Sequence, residues 1–183
     1  MWQTTMLVLP GLGDSGLSHW QTLWQLSTPG ARRVEQADYD EPVLPEWIDR
    51  LQEAVIDAPS PAILVAHSIS CALVAHWARG GATGRIAAAL LVAPADVESD
   101  SRTPPETWGF APIPRDPLPF PSLVVASRDD SYVDFDRAAE FATAWRAGLV
   151  DIGRAGHING KSGLGAWPEG RRLLNELIND SLR

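Results

Sequence analysis

An α/β fold on a mainly parallel sheet of six strands is predicted by three observations. Short apolar runs alternate along the chain with longer stretches of helical period. Three of those stretches carry an apolar stripe along one face, as helices covering a sheet do. A fourth, Cys71 to Ala78, is apolar nearly all round apart from His76, which places it inside the layers. The 183 residues suffice for one sizeable core, so one compact domain over 1–183 is expected.

The strands are expected near Met6–Leu9, Arg33–Gln36, Ile63–Ala66, Ala88–Ala93, Ser122–Ala126 and Leu149–Ile152. Trp47, Ile48, Leu51, Ala54 and Val55 share one helix face, and Pro45 can open that helix at its first position, where a missing N–H costs little. Ala138, Phe141, Ala142 and Trp145 form a second stripe before strand six. Leu173, Leu174, Leu177 and Ile178 form a third, in a helix that Pro168 can open. From Pro94 to Pro121 inclusive there are eight prolines, with too few N–H groups and too many fixed φ angles for a strand or long helix. This segment is expected to pass over one edge of the sheet.

Hydrophobic residues at 45% and charged residues at 21% exclude disordered, collagen-like and fibrous classes. Fifteen basic against 23 acidic side chains leave a net charge of −8, with no basic block, so neither nucleic acid nor an anionic membrane is an expected partner. The longest strongly apolar run, Ile86 to Ala93, is eight residues, far short of the roughly 20 that cross a bilayer. The first ten residues show neither a basic leader nor a cleavage pattern, and a cytoplasmic location is expected. Cys71 is the only cysteine, so no internal disulfide and no cysteine-based metal site is expected, and it reads as a small buried hydrophobe.

The third strand runs Ala62-Ile63-Leu64-Val65-Ala66 into His67-Ser68-Ile69-Ser70-Cys71 and then the buried helix. A Ser at a sharp strand-to-helix turn is lifted above the sheet edge, provided that small residues stand two positions away on each side. Ala66 and Ser70 meet that need where Gly is usual, so the match to Gly-x-Ser-x-Gly is degenerate. The competing view is a polar turn in which Ser68 or Ser70 caps the helix. If Ser68 is a nucleophile, the Ile69 N–H at the helix start can receive an oxyanion.

Such a hydroxyl needs a base and an orienting carboxylate. Of the four histidines, His157 lies in the glycine-rich segment Gly153 to Gly160, at the carboxyl end of the sixth strand, where open parallel sheets place their sites. His67 adjoins the Ser, His76 lies on the buried helix, and His19 precedes Trp20 in the first βα segment. The acid is expected to follow the fifth strand. Asp130 is favoured over Asp129 there, and Asp96 after the fourth strand is a further alternative. The order Ser68, Asp130, His157 is that of α/β-hydrolases.

The first strand ends in Pro10-Gly11-Leu12-Gly13-Asp14-Ser15-Gly16. Gly11, Gly13 and Gly16 satisfy Gly-x-Gly-x-x-Gly, with Asp38 standing 22 positions beyond Gly16, the pattern of an NAD(P)-binding oxidoreductase. Pro10 intrudes at the strand-to-turn join, and no residues for hydride transfer are apparent. In a hydrolase the same loop supplies the second oxyanion donor, from Leu12.

Five segments together resemble the small serine hydrolases typified by retinoblastoma-binding protein 9 and YdeN. They are Val8 to Gly11 with His19-Trp20-Gln21 and Trp24; Ala66 to Cys71; Leu91 to Asp96; Ala126 to Val133; and Gly156 to Asn159 with Gly163 to Pro168. The resemblance implies a compact three-layer α/β-hydrolase fold, catalysis by Ser68, Asp130 and His157, and no cofactor. That family commonly has Asp-Pro-Tyr where Asp130-Ser131-Tyr132 stands here, which favours Asp130. Ala66 and Ser70 depart from its two elbow glycines.

The expected activity is hydrolysis of a small acyl ester through an acyl-enzyme. Trp20, Trp108, Phe110 and Trp167 are expected to form a small, partly aromatic acyl pocket under the Pro94–Pro121 segment. A catalytically weak homologue that binds a protein partner is a third possibility.

Overall fold

The computed structural model describes residues 4–59 and 61–181. Six strands, β1 (Thr5–Leu9), β2 (Arg32–Arg33), β3 (Ala62–His67), β4 (Ile86–Val92), β5 (Ser122–Ala126) and β6 (Gly148–Asp151), pair in the order β2-β1-β3-β4-β5-β6. Every pairing is parallel. Between them run α1 (Trp20–Ser27), α2 (Leu44–Asp57), α3 (Ile69–Trp77) and α4 (Phe135–Trp145), and α5 (Pro168–Ser181) follows β6.

Side chains alternate across each strand, and the alternation divides the core in two. Leu7, Leu9, Leu64, Ala66, Ala89, Leu91, Val124 and Ala126 meet Trp47, Leu51 and Val55 of α2, the apolar residues of α3, and Phe141 and Trp145 of α4. Met6, Val8, Ile63, Val65, Leu90, Val92 and Val125 meet Trp20 and Trp24 of α1 and Leu173 and Leu174 of α5. The expected three-layer arrangement therefore holds, with α2, α3 and α4 on one face and α1 and α5 on the other. Among the described residues no helix is long and apolar enough to cross a membrane.

Apart from shifts of one or two residues at strand ends, one expected strand is shorter and one helix was not expected. The second strand stops at Arg33 and does not reach Gln36. Val34 N–H still bonds the Val8 carbonyl, but the next rung would need an N–H from Pro10, which has none. The Tyr39 hydroxyl bonds the Val34 carbonyl instead. The helix α1 was not legible as a helical period because its eight residues bury only Trp20, Gln21, Thr22 and Trp24.

The segment from Pro94 to Pro121 holds one 3₁₀ turn, Pro105–Phe110, and is fastened down along its length. Phe110, Ile113, Leu118 and Phe120 are buried in the α2/α3/α4 core. Trp145 Nε1 donates to the Pro114 carbonyl at 2.9 Å, and His76 Nε2 bonds the Phe110 carbonyl at 2.8 Å. Ion pairs join Arg115 to Glu98, Arg137 to Asp96 and Glu98, and Arg102 to Asp134. The segment forms a fixed wall.

The sheet order reverses between β1 and β3, since β1 leads outward to β2 whereas β3 leads to β4. A crevice opens at such a point beyond the carboxyl ends of the strands. The loop after β1 and the turn after β3 meet there.

Candidate active site

Ser68 joins β3 directly to α3 with φ 59° and ψ −126°. Positive φ is unusual for a residue with a Cβ, and it lifts the side chain clear of both elements. The Ser68 hydroxyl makes no cap bond to α3, so the capping alternative fails at this position. Small residues surround the turn. Ala66 is fully buried, and a Cβ on Gly11 would lie 2.8 Å from Ser68 Cβ, closer than van der Waals contact allows. Only glycine lets the β1 loop approach the elbow this closely.

His157 Nε2 lies 2.9 Å from Ser68 Oγ, and its Nδ1 lies 2.9 Å from both carboxylate oxygens of Asp130. An ionised carboxylate can only accept, so Nδ1 carries the proton and Nε2 accepts from the Ser68 hydroxyl. Asp130 Oδ1 also accepts from the Tyr132 N–H at 2.8 Å, and the Asp130 side chain is wholly buried. The Tyr132 ring packs 4.4 Å from the imidazole. The structure thus brings together Ser68, His157 and Asp130.

The two alternative acids do other work. Asp129 Oδ1 accepts from Ser127 Oγ and from the Gly156 N–H, and these bonds hold its carboxyl below the usual carboxylate range. Asp129 thereby braces the loop that carries His157. Asp96 is paired with Arg137 at 3.1 Å.

That loop is bent on both sides of the imidazole, with φ 58° at Gly156 and 49° at Ile158. Trp20 Nε1 fixes it by donating to the Ile158 carbonyl at 2.8 Å. His67 fixes it from the elbow side. Burial, reinforced by His157 and His19 nearby, pushes the His67 pKa well below 6.5. Neutral His67 donates Nε2–H to the His157 carbonyl at 2.9 Å.

His19 stands beside this pair, its ring 4.8 Å from that of His67. Its Nδ1 caps α1 by accepting from the Gln21 N–H, so the proton of the neutral ring resides on Nε2, which has no partner among the described residues. Burial first, then the electrostatic influence of His157 and of Arg33, lower its pKa to about 4.

Two further residues tie the crevice together: Gln21, to which no catalytic or binding role was assigned from the sequence, and Ser70, expected there only as a small elbow residue or a helix cap. The buried Gln21 amide donates to the carbonyls of Leu9 and Val65 at 3.0 and 2.9 Å and accepts from Ser15 Oγ, so it bridges the ends of β1 and β3. Ser70 Oγ donates to the Pro10 carbonyl at 2.5 Å. The only sequence signal for Gln21 was its place beside His19-Trp20.

Leu12 and Ile69 both line the crevice next to Ser68. Neither of their N–H groups meets a protein acceptor among the described residues. The cleft has a volume of about 140 Å³, and Ala95, Thr103, Pro104 and Thr107 of the fixed wall close one side.

The four aromatic residues expected in an acyl pocket do not line it. Trp20 and Trp167 are buried against each other and Trp24 on the α1/α5 side of the sheet. Phe110 is buried in the opposite core against Trp47. Trp108 faces outward and donates Nε1–H to the Thr103 carbonyl. Large rings here fill core volume, and His19, Thr103, Thr107, Tyr132 and Asn159 give the cleft a more polar lining.

The glycine pattern after β1 does not open a helix. Gly16 precedes the start of α1 by four residues, and Gly11 is pressed against Ser68 where a pyrophosphate would need room. Asp38 turns its carboxylate back onto its own chain, accepting from the Asp40 and Glu41 N–H groups.

The fold matches that of solved α/β-hydrolases. A protein described as a YdeN-like hydrolase from Pectobacterium atrosepticum superposes with a TM-score of 0.87 at 35% identity, over 98% of this chain and 92% of that one. The ydeN gene product of B. subtilis gives 0.76 at 19% identity, over 97% and 100%. Est1E of Butyrivibrio proteoclasticus gives 0.73 at 15%, over 96% and 88%, and shares the fold. A family model described as serine hydrolase matches residues 6–176, and the chain belongs to that family. No curated protein matches the sequence.

Proposed function

We propose that the protein is an esterase-type serine hydrolase acting on small acyl esters. The observation that carries this is the unbroken hydrogen-bonded chain from Ser68 Oγ through His157 to Asp130. His157 takes the hydroxyl proton as Ser68 attacks the ester carbonyl, and Asp130 holds the imidazole in the required tautomer and stabilises its cation. The Leu12 and Ile69 N–H groups receive the oxyanion. His157 then returns the proton to the departing alcohol, and water hydrolyses the acyl-enzyme by the same route.

A cleft of about 140 Å³ favours a short acyl group, since a cavity of roughly 150 Å³ holds a benzene ring. The partial polarity of its lining fits an ester with oxygen functions better than a long alkyl chain. No cofactor enters this chemistry.

Ser68→Ala is expected to reduce kcat for p-nitrophenyl acetate by on the order of 10⁶ and to abolish labelling by a fluorophosphonate. Turnover retained in the pure variant would overturn the assignment. A wild-type protein that binds a partner yet is neither labelled nor active would instead establish the non-catalytic homologue.

A further inference from the structure

We propose that the catalytic cleft continues into a subsite for a carboxylate carried on the leaving group, an inference that rests on the hydrolase function above. In that chemistry the leaving oxygen takes its proton from the His157 imidazolium as the acyl C–O bond breaks and the carbonyl re-forms. The leaving group therefore departs on the His157 side. A second, more open basin of about 360 Å³ lies on that side and shares Tyr132, His157 and Asn159 with the cleft.

Its outer lining is cationic, with Arg154 and Lys161 as well as Ser131. This runs against the net charge of −8, and Lys161 is the only lysine in the chain. Lys161 has no ion-pair partner among the described residues. Arg154 approaches Asp129 only at 3.6 Å, and Asp129 is already engaged by Ser127 and Gly156. Asn159 commits its amide oxygen to the Lys161 N–H at 3.0 Å, which leaves its NH₂ as a further donor at the boundary of cleft and basin. Allowing for partial neutralisation by Asp129, the net local charge suits one carboxylate better than a doubly charged phosphate.

The test compares 4-acetoxybenzoate with methyl 4-acetoxybenzoate, two acetyl esters that differ by a charge on the leaving phenol. Intrinsic reactivity cancels when the ratio of their kcat/KM values is compared between variants. Each exposed charge contact is worth about 1.4–5-fold, so Arg154→Ala with Lys161→Ala should lower the anion-to-neutral ratio by about 3–10-fold, mainly through KM. Lys161→Glu should lower it further, Lys161→Arg should preserve it, and 0.5 M NaCl should shrink it in the wild type. A ratio within twofold of wild type in both the double variant and Lys161→Glu, with Ser68 still labelled by a fluorophosphonate, would overturn the subsite and leave the hydrolase function standing. A wild-type protein that is unlabelled and cleaves neither ester would overturn both.

Discussion

The Ser70 hydroxyl donates to the Pro10 carbonyl, so the helix that follows Ser68 is tied to the loop that carries Leu12, the proposed second oxyanion donor. Glycine, the usual residue at this elbow position, could not make that bond. Ser70 therefore gives a polar contact at a place where the common pattern gives only space. Ser70 and Pro10 are both buried.

Replacing Ser70 by Ala should leave the Pro10 carbonyl unpaired and lower stability by about 1–3 kcal/mol. It should also loosen the Leu12 amide, with a loss of roughly tenfold in kcat, less than the 10²–10³ that follows outright removal of an oxyanion donor. Urea titration and p-nitrophenyl acetate kinetics on one preparation check both. Unchanged values in both would show that the tie is incidental.

The two neighbouring aspartates should separate cleanly in kinetics. Asp130→Asn replaces the acceptor that fixes the His157 tautomer and is expected to reduce kcat by about 10⁴. Asp129→Asn keeps an oxygen that can still accept from Ser127 Oγ and the Gly156 N–H, so its loss should stay within about tenfold. Equal losses would mean that the orienting carboxylate is misassigned.

Acid should weaken the fold before the carboxylates titrate. His19 and His67 both have pKa values lowered from 6.5 in the folded protein, so below about pH 6.5 the unfolded chain binds protons that the folded chain refuses. Their contribution is complete above that pH and is lost as pH falls, down to about 4 for His19. Each can steepen the decline by up to about 1.4 kcal/mol per pH unit. His19→Asn keeps an acceptor for the Gln21 N–H and removes one titrating group. Unfolding midpoints at pH 7, 6 and 5 should therefore fall less steeply for this variant, and an unaltered slope would refute the linkage.

Most of the fold was legible because buried parallel strands are continuous apolar runs, as in Ile63–Val65 and Leu90–Val92, and because α2, α4 and α5 each show one apolar face. The end of β2 was not legible, since it depends on which carbonyl the neighbouring Pro10 fails to reach. Ser68, Asp130 and His157 were legible as residue types at strand ends, and Asp130 was favoured over Asp129, but nothing in the sequence tells that Asp129 bonds the loop that carries His157. The four aromatic residues were misplaced for a related reason. Their loop positions were clear, but the direction of a large side chain follows from where core volume is available, and for Trp20, Phe110 and Trp167 that was away from the cleft.

The elbow itself should carry a measurable cost. Ser68 holds φ 59° and ψ −126°, a conformation that disfavours any Cβ and costs of order 1–3 kcal/mol. Alanine at this position would keep the strain, whereas glycine would relieve it and give back about 0.5–1 kcal/mol through the greater freedom of the unfolded chain. Both lack the hydroxyl, so the loss of its bond to His157 cancels between them. Ser68→Gly should accordingly be more stable than Ser68→Ala by about 1 kcal/mol, although both are inactive. Paired urea unfolding curves measure that difference directly. If the alanine variant proves equally or more stable, the turn holds no strain, and the geometry of Ser68 would have to be explained by packing alone.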